Sequence, residues 1–102
     1  MSSYQDKEKI KTFLREIVGA TIVEHREEGD VTGDVDDAGM NPDGSLGVYW
    51  DDGYHRTTVF TPKSWNFSLN DGILTLRRTA PDTRTSDCAW RTANRYTLTK
   101  KK

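Results

Sequence analysis

Disulfides, long apolar runs and recognisable chemistry motifs are what this sequence does without. Its single cysteine, Cys88, has no partner in the chain, so no disulfide framework supports the fold. Apolar residues make up only 33% of the chain, and no stretch approaches a membrane span. The N-terminal MSSYQDKEKIK lacks the apolar segment of a signal peptide, so a cytoplasmic protein is the expectation. No nucleophile elbow (GxSxG), phosphate loop (GxxxxGK[ST] or GxGxxG) or metal spacing (HExxH or CxxC) is present. Catalysis is therefore not expected, and no cofactor, catalytic residue or metal ligand is assigned. Cys88 follows Asp87, and an acidic neighbour disfavours a reactive thiolate.

What is present is charge, unevenly placed. Charged residues are 30% of the chain and the net charge is −1. Residues 1–23 sum to +1, residues 24–52 to −9 and residues 53–102 to +7. Such a division marks either a charged partner or neutralisation within the fold. The ten aromatic residues compensate in part for the small apolar fraction, since each buries a large area. A single domain spanning residues 1–102 follows from the length.

Ile10, Phe13, Leu14, Ile17 and Val18 form one apolar stripe at helical spacing, which predicts a helix over about 4–18 that stops at Gly19. Residues 21–28 read as a strand. Residues 29–45, GDVTGDVDDAGMNPDGS, read as a long acidic loop, because aspartate and glycine suit neither strand nor helix interiors. Two β-hairpins follow over about 46–78. A type I′ turn at Asp52-Gly53 would set Trp50 against His55, Val48 against Thr57 and Leu46 against Val59. A second turn at Asp71-Gly72 sets Leu69 against Leu74 and Phe67 against Leu76. The C-terminal strand, about 89–99, places Trp90, Tyr96 and Leu98 on one side and Arg91, Arg95 and Thr97 on the other. The expected fold is α+β: one N-terminal amphipathic helix packed on an antiparallel sheet of about five strands, able to curl toward a small barrel.

The acidic segment is the main candidate site. Asp34, Asp36 and Gly39 imitate the start of an EF-hand loop, but Ala38 and Ser45 stand where further ligands are needed, so calcium binding is not expected. Glu27, Glu28, Asp30, Asp34, Asp36, Asp37 and Asp43, with Asp51 and Asp52 at a hairpin tip, can instead present negative charge to a basic surface on a protein partner. His55 near Asp51 or Asp52 could form a histidine–carboxylate pair, although cross-strand packing on Trp50 is the plainer expectation. Arg77, Arg78, Arg84, Arg91 and Arg95 share the C-terminal half with Trp65, Trp90 and Tyr96. Charge and rings are expected on opposite faces there, so direct nucleic-acid binding is not expected. Acidic and basic halves could also pair between copies, which leaves a homo-oligomer open. The leading expectation is a small non-enzymatic regulator or inhibitor, of the kind also carried by mobile elements, that acts through its acidic surface. The alternative is a small-ligand-binding sheet or barrel that uses its aromatic face.

Overall fold

The apolar stripe at the N-terminus does form a helix. The computed structural model describes residues 3–26, 29–79 and 93–100. Helix α1 runs over Ser3–Arg15. Its last turn tightens, with Glu16 N–H donating to Phe13 O at 3.4 Å and Ile17 N–H to Leu14 O at 3.3 Å, before Gly19 takes a positive φ of 86°. Ile10, Phe13, Leu14 and Ile17 are buried, whereas Val18, expected on the same stripe, is 68% exposed because the chain has already left the helix.

Among the described residues seven strands follow: β1 (Thr21–Arg26), β2 (Gly29–Met40), β3 (Leu46–Asp51), β4 (His55–Phe60), β5 (Trp65–Asn70), β6 (Ile73–Arg78) and β7 (Arg95–Thr99). They form one antiparallel sheet in the order β4-β3-β2-β1-β7-β6-β5, two more strands than expected. The sheet curls into a half-barrel, so that Phe60 of one edge strand lies 4.8 Å, ring to ring, from Trp65 of the other. Helix α1 packs inside the curl against β2 and β5. Of the expected C-terminal strand, residues 89–92 lie outside the described residues, as do Arg84, Cys88, Trp90, Arg91 and the acidic pair Glu27 and Glu28.

Two expectations need correction. Most of the acidic segment is not a loop: residues 29–40 make the twelve-residue strand β2, hydrogen-bonded to β1 on one side and β3 on the other. Its inward residues Val31, Gly33 and Val35 alternate as a strand requires. A bulge between Val35 and Asp37 then shifts the parity, so that Ala38 and Met40 face the core. Ladder pairing on both sides outweighs the poor strand propensity of aspartate and glycine. Only Asn41–Gly44 turns as expected, closed by Gly44 N–H donating to Asn41 O at 2.9 Å.

The first hairpin is out of its expected register by one residue. Its loop takes in Tyr54 as well as Asp52 and Gly53, so Trp50 pairs with Arg56, Val48 with Thr58 and Leu46 with Phe60. A one-residue slip inverts the faces of a strand. Phe60 is accordingly fully buried, and Val59 is 54% exposed. The second hairpin holds the expected pairs, Leu69 with Leu74 and Phe67 with Leu76, around positive φ at both Asp71 and Gly72.

Candidate functional site

The convex face of β2, β3 and β4 gathers part of the expected acidic set. Strand alternation points Asp34 outward, and the bulge exposes both Asp36 and Asp37. Asp51 on β3 pairs directly with Asp34 on one side and with His55 on the other. An open depression of about 450 Å³ lies here, lined by Thr21, Thr32, Asp34, Asp36, Asp51 and Asp52. Tyr49 and Val59, both more than half exposed, belong to the same hairpin, and Tyr54 stands at its tip.

His55 does not pack on Trp50. Its imidazole is 88% exposed, with Nδ1 3.7 Å from Asp51 Oδ2 and 3.8 Å from Asp36 Oδ2. These three donor groups lie within 4.8 Å of one another. A zinc ion would need all three at about 2.0–2.2 Å, so they would have to draw together around it. Asp34 and Asp36 sit on an extended strand, a geometry unlike the wrapped loop that encloses calcium.

The remaining acidic residues have other places. Asp43 accepts from Ser45 N–H at 2.9 Å and Ser45 Oγ–H at 2.7 Å, and these bonds, the hydroxyl first, hold its carboxyl below the ordinary aspartate range. It fixes a turn remote from the patch. Asp30 faces His25, whose Nδ1 is 3.3 Å from Asp30 Oδ1 and whose Nε2 is 3.0 Å from Thr97 Oγ1. Asp52 bonds Arg56 at 3.0 Å. The charge asymmetry of the sequence is thus partly neutralised within the fold, and Asp34, Asp36, Asp37 and Asp51 share the convex face of β2 and β3.

A second cluster lies on the concave face and escaped the sequence reading. Ile22 and Glu24 point inward from β1, and Glu24 is only 4% exposed. Its Oε1 accepts from Arg26 Nε–H at 2.5 Å and lies 3.7 Å from Arg56 Nη1, while its Oε2 accepts from the Tyr96 hydroxyl. Burial first, and the bond to Glu24 second, push the Tyr96 phenol well above its ordinary value, so it stays protonated. Arg56 lies 5.2 Å from the Trp50 ring centre and Arg78 lies 4.5 Å from that of Trp65. Charge and rings therefore share a face at Arg56 and Arg78, whereas Arg95 lies on the face opposite Tyr96 as expected and Arg91 lies outside the described residues. The rings themselves are core: Phe60, Trp65 and Tyr96 pack edge to face at 4.8–5.6 Å. The available signal was the alternation Ile22-x-Glu24, which puts a carboxylate on an apolar face.

Compared with protein-family models, curated proteins and solved structures, the chain has no match. Among the described residues no helix is long and apolar enough to cross a membrane.

Proposed function

We propose that this is a small non-enzymatic binding protein, a regulator or inhibitor that sets the convex acidic face of β2–β4 against a basic surface on a protein partner. The observation that carries the reading is the gathering of Asp34, Asp36, Asp37 and Asp51 onto one exposed face beside Tyr49 and Val59. Clustered carboxylates steer a basic partner into encounter and fix its orientation. The exposed tyrosine and valine supply the apolar centre that such an interface needs for affinity. A cytoplasmic setting fits the single cysteine.

The test is affinity capture from a lysate of the source organism after nuclease treatment, comparing wild type with the Asp34/Asp36/Asp37→Asn variant. The expected outcome is a specific protein retained by wild type and lost by the variant, with an interaction that weakens as salt rises. Equal retention by both baits would remove the acidic face from the mechanism.

A further inference from the structure

Side chains from three neighbouring strands meet on the convex side of the first hairpin. Asp51 of β3 and His55 of β4 stand opposite each other in the ladder. Asp36 is the extra residue of the β2 bulge, a position at which a strand re-aims a side chain. His55 Nδ1 is near both carboxylates, 3.7 Å from Asp51 Oδ2 and 3.8 Å from Asp36 Oδ2.

The donor set is mixed: one imidazole nitrogen and two carboxylate oxygens. Calcium asks instead for roughly six to eight oxygens around it. An imidazole beside carboxylates suits a divalent transition ion, zinc foremost. The spacing suits it too. With bonds of about 2.0–2.2 Å in a tetrahedral array, neighbouring donors stand about 3.4 Å apart. The two distances from Nδ1 are close to that, and all three donor atoms lie within 4.8 Å of one another. Strand pairing holds the backbones of β2, β3 and β4, while the Asp36 and His55 side chains are 53% and 88% exposed. Small side-chain rotations therefore suffice to close the remaining gap. The adjoining depression, lined in part by Asp36 and Asp51, leaves room for water at the fourth position of a three-ligand zinc site.

Charge works in the same direction. Two carboxylates match the charge of a divalent ion, and an ion on Asp51 also relieves its direct opposition to Asp34 across the ladder. We infer that Asp36, Asp51 and His55 form a binding site for a divalent transition-metal ion of the zinc class, with water completing the coordination. The site needs no protein partner, so it stands or falls apart from the partner reading.

The experiment is calorimetric titration of the full chain with zinc chloride, with calcium and magnesium chloride as hard-ion controls and the histidine ring resonances as a local probe. One saturable zinc event per chain is expected, with Kd of about 10 μM or tighter, and no comparable event with calcium or magnesium. The His55 ring signals should move with zinc and those of His25 should not. His55→Ala and Asp36→Asn should each weaken binding about tenfold or more, since a site of three ligands loses one. His25→Ala and Cys88→Ser remove the chain's other histidine and its cysteine and should leave the affinity unchanged. No saturable binding up to millimolar zinc, or wild-type affinity in folded His55→Ala, would overturn the site.

Discussion

Glu24 shows how much a single residue can hold in this molecule. A buried carboxylate is tolerable only when its oxygens are fully engaged, and here a tyrosine hydroxyl and two guanidiniums engage them. Glu24→Ala would leave the Tyr96 hydroxyl and Arg26 without their acceptor, while Arg56 keeps Asp52. The expected cost is about 3 kcal/mol, at the low end for a broken buried pair because both arginines keep some access to water. Urea denaturation measures it. Tyr96 adds a dependence on pH. Its phenol is raised in the folded state, so the stability it contributes is complete below the unfolded value near 10 and is lost as pH rises above it. Wild-type stability should decline more steeply than that of Tyr96→Phe between about pH 9 and 11, as followed by urea denaturation at several pH values. The sequence held the cue for this pair only as alternation, Ile22 with Glu24 and Tyr96 with Leu98. The partnership itself depends on a register that local pattern does not state.

Strand β2 carries the lesson at the level of the element. Five aspartates and four glycines over residues 29–45 made a loop the natural reading, yet twelve of those residues form a central strand. The Val31-x-Gly33-x-Val35 alternation was visible; the bulge that shifts parity for Ala38 and Met40 was not, since it exists only against a partner strand. Deleting Asp36 should remove the bulge and leave Ala38 and Met40 facing the core, so the protein should still fold, whereas adding one more residue beside Asp36 should turn Ala38 and Met40 outward and unfold it. Asp36→Asn should change stability by no more than about 0.5 kcal/mol. Circular dichroism during heating separates the two outcomes. Gly33 is the other fixed point, because a Cβ there would lie 2.6 Å from Trp50 Cε3 and 2.7 Å from the Asp51 carbonyl. The missing side chain lets the indole lie flat across β2. Gly33→Ala should cost about 1–3 kcal/mol, read as a melting point lower by several degrees. In the two hairpins, identical Asp-Gly signals gave different loops, and only the second agreed with the sequence reading. The first admits Tyr54 into its loop, which brings Phe60 rather than Val59 into the core.

Across the described residues, the acidic middle of the sequence becomes a surface. Asp34, Asp36, Asp37 and Asp51 gather on the convex side of β2–β4, while Arg26, Arg56 and Arg78 lie toward the concave side and Arg77 and Arg95 stay exposed on β6 and β7. The regional charge sums foreshadowed an acidic face, but the grouping of these four acids follows from strand pairing. Asp34 and Asp51 stand directly opposite each other across two strands, and like charges so placed are unfavourable. Asp51→Asn should therefore raise the melting temperature in low salt. The gain should shrink as added salt screens the repulsion, a trend that differential scanning fluorimetry can follow.

The curled sheet has a seam. Edge strands β4 and β5 follow one another in the chain but share no ladder, and they meet through the rings of Phe60 and Trp65. A closed barrel can widen only by breaking hydrogen bonds, whereas this one can gape by letting two rings slide apart. The amides facing the seam should thus exchange with solvent ahead of those in β1 and β7. The width of the interior then becomes a breathing coordinate, set by how often those two rings part.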